Sequence, residues 1–156
     1  MGLEIAIRES VMKRNIVERR IMWGDLDALG IVFYPRYYEW FDASSHLFFD
    51  SINLNLVTLW EERQILFGLS ETSCIYSGPG RYNQSIRIIT QLEELGMKTL
   101  KLKHSIHHMS NDALIVAGFE KRVCMDVTDP KNIRAINMPE DIYSIFKNAM
   151  DAPVQK

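Results

Sequence analysis

Asp25 and Asp27 share a short polar loop within W-G-D-L-D-A-L-G-I-V-F-Y-P-R-Y-Y-E-W-F-D-A-S (23–44), closed by Gly30 and followed by Pro35. Proline is tolerated where its missing N–H would be unpaired anyway, so Pro35 marks the first turn of a helix. The first turn of a helix offers amides without intrahelical partners and the positive end of the dipole. Such donors can hold a developing oxyanion while a nearby carboxylate acts as nucleophile or base. The amide of Tyr34, just before Pro35, is the donor so placed. If both aspartates face one cavity, their repulsion raises one pKa. More commonly one caps a turn, so Asp25 is the structural candidate and Asp27, nearer the helix, the reactive one. On residues alone, a loop that only caps the helix is an equally good reading.

The other polar candidates are weaker. His46, His104, His107 and His108 do not converge by spacing, and a metal centre needs convergent ligands. No G-x-S-x-G elbow, P-loop or Rossmann glycine fingerprint occurs. Cys74 and Cys124 lie in strand-like stretches without ligand spacing and read as reduced, buried thiols. Lys98 and Arg134 fall in loop-like positions with Thr99 beside the first; such residues are usually solvated, but together they can hold phosphate groups.

The elements that must position these residues follow from periodicity. At about 100° per residue, Arg36, Glu39, Ala43, His46 and Asp50 form a solvent stripe on the helix. Tyr34, Tyr38, Phe41, Ser45, Phe48 and Ile52 lie opposite, and Tyr37, Trp40, Leu47 and Phe49 widen the apolar surface. A helix this apolar calls for a sheet around it or a second subunit over it. Residues 15–22 predict a first strand, 53–63 a short helix, and 139–148 a closing helix. Between them, 65–77, 84–95, 98–110 and 113–127 predict strands. In T-L-K-L-K-H-S-I-H-H, Leu100, Leu102, His104 and Ile106 face one way, and Lys101, Lys103, Ser105 and His107 the other. Short turns at Gly78-Pro79-Gly80, Gly96 and Asn111-Asp112 imply an antiparallel sheet. The fold class is α+β, and the last strands are expected to expose an edge for pairing with a second chain.

Length and charge set the bounds. The 156 residues form one domain, with 1–14 a frayed lead-in and 149–156 a tail. A net charge of −2 steers the chain toward neither nucleic acid nor an anionic membrane. No apolar run approaches the roughly 20 residues of a membrane span. The start, M-G-L-E-I-A-I-R-E-S, lacks signal-peptide features, and Ala6 departs from the myristoylation motif, so the expected location is cytoplasmic.

The stretch from Trp23 to Ser44 closely resembles the signature of the 4-hydroxybenzoyl-CoA thioesterase family of hot-dog proteins, G-D-x-D-x-x-G-I-V-[aromatic]-[aromatic]-P-x-Y followed by W-[apolar]-D-A. M-K-T at 97–99 and I-R-A-I-N-M-P at 133–139 extend the resemblance. It implies an antiparallel sheet wrapped around the long helix, and a homodimer or dimer of dimers with active sites between subunits. It implies hydrolysis of an acyl-CoA to acid and CoA, with no cofactor beyond the CoA of the substrate and no metal. Asp27 matches the family's catalytic carboxylate, as nucleophile or as general base, and the Tyr34 amide its oxyanion donor. Lys98, Thr99 and Arg134 match contacts to the CoA nucleotide. Asp42 matches an aspartate that meets a ring hydroxyl in aromatic-specific members; a structural role is an equal reading of it. N-L-N-L at 53–56 replaces the glycine- and proline-containing turn of the hydroxybenzoyl enzymes, which leaves medium-chain acyl groups, on CoA or acyl-carrier protein, open. A non-catalytic acyl-CoA sensor would not need Asp27. A hot-dog hydratase would pair its acid with a histidine, and none lies near the opening loop.

Overall fold

Pro35 at the first helical position fixes where α1 (Pro35–Ser51) begins in the computed structural model, which describes residues 13–150. Its end is fixed by Asn53, in the left-handed region at φ 60°. The amides of Asn53 and Leu54 turn back onto the carbonyls of Asp50 (3.0 Å) and Phe49 (2.9 Å), and Leu54 joins Phe49 in the core. Asn55 then accepts the Thr58 amide at 3.0 Å and caps α2 (Leu56–Arg63). The helix expected over 53–63 therefore starts later, because its two asparagines end one helix and cap the next.

The strands are β1 (Arg14–Arg20), β2 (Ile65–Tyr76), β3 (Ser85–Leu95), β4 (Thr99–His108), β5 (Leu114–Asp126) and the two-residue β6 (Arg134–Ala135), followed by α3 (Glu140–Met150). The sequence reading misses β6, which is too short to carry alternation. All pairs are antiparallel, in the order β1-β3-β4-β5-β2, with β6 beside β5. The edges are therefore β1 and β2. The expected edge at the last strands is wrong: β4 and β5 are interior, because β2 returns to pair along nearly the whole of β5. The inner ends of the expected lead-in and tail are ordered parts of the fold, where the Lys13 amide donates to the Ala149 carbonyl at 2.9 Å. The rest of both segments lies outside the described residues. No described helix is long and apolar enough to cross a membrane.

The sheet curls around α1, giving the hot-dog arrangement. Glu39, Ala43, His46 and Asp50 face out, while Tyr37, Trp40, Phe41, Phe48 and Phe49 are buried. Tyr34 and Leu47 depart from the expected apolar surface and are exposed: Tyr34 caps the helix at its open end, and Leu47 follows His46 on the outer flank. The helix approaches β5 so closely that a Cβ at Gly118 would sit 2.8 Å from Phe41 Cε2 and 2.1 Å from the Ser73 carbonyl oxygen.

A polar belt divides the core. One apolar cluster gathers Phe48, Phe49, Phe67, Leu92, Leu102 and Phe146; the other gathers Ile21, Trp40, Phe41, Ile88, Ile106 and Ile115. Between them along their own elements lie Ser45, Thr90, His104, Glu120 and Arg122, all buried. His104 faces inward with Leu100, Leu102 and Ile106, as the alternation predicts.

Candidate active site

The opening loop is a tight turn hung on the segment that follows β2. Asp27 donates its amide to the Ile31 carbonyl (2.9 Å), and the Gly30 amide donates to the Asp27 carbonyl (3.0 Å). Gly30 adopts φ +73°, a conformation glycine reaches without cost. The Val32 amide donates to the Gly80 carbonyl at 2.9 Å, which ties the loop to the turn after β2. A side chain at Gly80 would collide with Ile21, Val32 and the Tyr37 hydroxyl, so that turn can pack only with glycine there.

The two aspartates have different jobs. Asp25 Oδ2 accepts the Met22 amide at 2.8 Å and an Arg19 N–H at 3.3 Å, which spends it on holding the 3-10 turn over Trp23–Asp25. Arg19 is itself held by stacking over Trp40, 4.1 Å from the ring centre. Asp27 Oδ1 accepts the Leu29 amide at 2.8 Å, and among the described residues its Oδ2 accepts nothing. Asp27 lines an open cavity of about 600 Å³ with Tyr34, Tyr37, Tyr76 and the Ser77–Pro79 turn. In the first turn of α1 the amides of Arg36 and Tyr37 donate to the carbonyls of Phe33 and Tyr34. The Tyr34 amide donates to no acceptor among the described residues. Asp27, with one carboxylate oxygen without a partner, and Tyr34, whose amide has none among the described residues, thus line one cavity.

The aromatic walls are inert by titration. Burial pushes the Tyr37 phenol up to about 12 against the pull of a hydrogen bond to the Gly80 backbone. Burial raises Tyr76 further, helped by Cys74 and Tyr38. Cys74, half-buried rather than fully buried as expected, also has its thiol raised by burial, and burial pushes Cys124 up to about 11. Neither is an activated nucleophile.

The nucleotide candidates come together elsewhere. The Cys124 amide donates to the Lys98 carbonyl (2.8 Å), and the Ile136 amide donates to the Cys124 carbonyl (2.9 Å), so β5 holds Lys98, Thr99 and Arg134 at one end of the sheet. Arg134 is exposed and pairs with Asp126 at 3.0 Å. That end is level with Ile65 of β2, whereas Asp27 is level with Tyr76. Twelve strand residues separate them, roughly 35 Å if straight. Within one chain the length of β2 lies between Asp27 and Arg134.

Asp42 sits in the row Tyr34, Tyr38, Asp42, His46 that runs along α1 at four-residue spacing. Its side chain is 53% exposed, and Oδ1 accepts an Arg122 N–H at 2.7 Å. Arg122 also donates to Glu120 Oε2 (3.0 and 3.2 Å) and to the Phe67 carbonyl (3.3 Å). Glu120 accepts the Ser45 hydroxyl and lies 3.6 Å from His104 Nε2. Burial pushes the Glu120 carboxyl up, but His104, the Arg122 charge and Ser45 together bring it down to about 2. Sequence reading misses this pair. The signal was present in the cross-strand register, since Glu120 and Arg122 stand opposite inward-facing Leu102 and Leu100.

Known proteins resemble this chain in sequence and fold. The chain is 27% identical over 142 residues to 4-hydroxybenzoyl-CoA thioesterase from Pseudomonas sp. (strain CBS-3), covering 86% of this chain and 99% of that protein. It is 29% identical to the gentisyl-coenzyme A thioesterase BH1999, whose structure superposes with a TM-score of 0.72 over 82% of this chain and 98% of that one. A mutant of 4-hydroxybenzoyl CoA thioesterase complexed with 4-hydroxybenzoyl CoA gives a TM-score of 0.78 at 26% identity, over 85% of this chain and 97% of that one. The family model of the Thioesterase-like superfamily matches residues 21–146, which carry the opening loop, α1 and the whole of the sheet from β2 to β6, and the chain belongs to that superfamily.

Proposed function

We propose that this acyl-CoA thioesterase hydrolyses an aromatic acyl-CoA carrying a ring hydroxyl, with Asp27 and the Tyr34 amide as its catalytic groups. The observation that carries the reading is the shared cavity, lined by Asp27, which keeps one carboxylate oxygen without a partner, and by Tyr34, whose helix-start amide has none among the described residues. The amide would hold the carbonyl oxygen as it gains charge. Asp27 Oδ2 would either attack the carbonyl carbon, expelling the CoA thiolate and leaving a mixed anhydride for water to cleave, or take a proton from an attacking water. One turnover in 18O-water tests for the first route: label enters an Asp27 oxygen only if a mixed anhydride forms and water cleaves it at the aspartyl carbon.

The acyl end is read from helix geometry. Eight residues separate Tyr34 from Asp42, about 12 Å along α1. Two hydrogen bonds of roughly 2.8 Å leave about 6 Å, the span of one ring with a substituent opposite the carbonyl. The gentisyl- and hydroxybenzoyl-specific relatives agree with that size. The nucleotide end would belong to Lys98, Thr99 and Arg134 of a second copy. Antiparallel pairing of two β2 edges sets the Tyr76 end of one copy beside the Ile65 end of the other, which joins the two halves of the site. This makes the working unit a homodimer at least.

The test is thiol release from a panel of benzoyl-, 4-hydroxybenzoyl-, hexanoyl- and octanoyl-CoA. The hydroxylated aryl thioester should have the highest kcat/KM. A straight-chain substrate turned over faster than any aryl one would support the medium-chain reading instead, and no thiol release from any would leave a binding or sensing protein.

A further inference from the structure

The Glu120–Arg122 pair is the one buried charged group in the described residues that the catalytic proposal does not use, and it has a single outlet to the surface. Arg122 is 5% exposed and Glu120 2%, while Asp42, the third member, is half-exposed. Four of the five Arg122 N–H groups are spent: Nε and one terminal nitrogen on Glu120, that nitrogen also on Asp42, and the other on the Phe67 carbonyl. Glu120 is in turn fixed by the Ser45 hydroxyl and faces His104, whose other ring nitrogen meets the Thr90 hydroxyl at 2.8 Å. Phe41 stacks on that imidazole with ring centres 4.5 Å apart. The chain of contacts runs from the packed core to one oxygen of Asp42.

Two consequences follow for the acyl end. Arg122 and His46 (3.6 Å) both address Oδ1 of Asp42, so Oδ2 is the oxygen left to accept a donor from outside. Two carboxylates share one guanidinium, and both hydrogens of the terminal nitrogen that reaches Asp42 are spent on them, so this end carries a net negative charge.

We propose that Arg122, anchored by Glu120, is a specificity-determining positioning residue that fixes Asp42 so that its free oxygen selects an acyl group ending in a neutral hydrogen-bond donor. The inference rests on the reading that the acyl group reaches Asp42. A ring hydroxyl fits; a ring carboxylate is repelled, and a bare ring leaves a charged acceptor unmet.

The test compares kcat/KM for 4-hydroxybenzoyl-, 4-carboxybenzoyl- and benzoyl-CoA in four proteins: wild type, Asp42→Ala, Arg122→Lys, and the double variant Glu120→Gln/Arg122→Met, which strands no buried charge. Each is first checked for a cooperative thermal transition. Wild type should prefer the hydroxylated over the bare ring by about tenfold or more, the worth of one hydrogen bond to a charged group. The carboxylated ring should be poorest. Asp42→Ala and the double variant should both lose most of the hydroxyl preference, and Arg122→Lys should keep part of it. A purely structural role would lower all substrates alike and leave the ratio in place. If Asp42→Ala loses the preference while the folded double variant keeps it, Arg122 does not position Asp42, though the acyl-end reading stands. If Asp42→Ala itself keeps the preference, or wild type shows none, both fall.

Discussion

Arg122→Met alone should cost far more stability than its conservative volume suggests. The substitution removes four hydrogen bonds from a side chain that is 5% exposed and leaves Glu120, 2% exposed, facing the core without its cation. Breaking one partner of a buried pair typically costs about 3–5 kcal/mol. The Ser45 hydroxyl still reaches Glu120 and Asp42 is half-exposed, so the low end, about 3 kcal/mol, is expected. Replacing both partners, Glu120→Gln with Arg122→Met, removes the stranded charge and should recover about 2 kcal/mol of that loss, since neutral groups are cheaper to bury. Urea unfolding of the wild type, both single variants and the double variant reads these values directly from midpoints and slopes. A loss under about 1 kcal/mol in Arg122→Met, or a double variant no more stable than that single variant, would refute the view that a charge pair is sealed in this core.

Other outcomes follow from the same geometry. Gly118→Ala puts a methyl 2.1 Å from the Ser73 carbonyl oxygen of β2 and 2.8 Å from Phe41 of α1, and should lower stability by about 3 kcal/mol; an unchanged melting temperature would mean that β2 and α1 do not close on Gly118 as described. Glu120 lies at about 2 in the folded chain against an ordinary 4.5, so its stabilisation is whole above pH 4.5 and lost as pH falls toward 2. That loss, on the order of 3 kcal/mol, should be absent in Glu120→Gln; equal acid sensitivity in both proteins contradicts it. Mixing Asp27→Asn with Arg134→Glu, each weak alone, should restore about a quarter of wild-type activity, because half the dimers are mixed and one site in each is whole. No restoration would contradict a site that takes Asp27 from one subunit and Arg134 from the other.

The parts of this molecule legible in its sequence are those where local pattern and burial agree. The long aromatic helix could be placed by Pro35 and a solvent stripe, and β4 by clean alternation about His104. The asparagines at 53 and 55 escaped because a helix end and a helix cap lie two residues apart and merge into one polar spot. The edge position of β2 escaped because strand order depends on long-range pairing, which no local pattern encodes. Glu120 and Arg122 escaped for a similar reason: charged residues on a strand read as outward until register places them opposite Leu102 and Leu100. Asp27 itself was singled out by a loop and a helix start, and the placement of the nucleotide candidates Lys98 and Arg134 at the far end of β2 required the fold.

The central claim is that Asp27 is the reacting carboxylate, and kcat for Asp27→Asn on 4-hydroxybenzoyl-CoA tests it most directly. Asparagine can still accept the Leu29 amide that fixes the loop, so the variant should fold with an unchanged melting temperature. Its kcat should fall by at least about 100-fold, the scale set by loss of a positioned base or nucleophile. A folded Asp27→Asn protein that turns over this thioester at the wild-type rate would contradict the account.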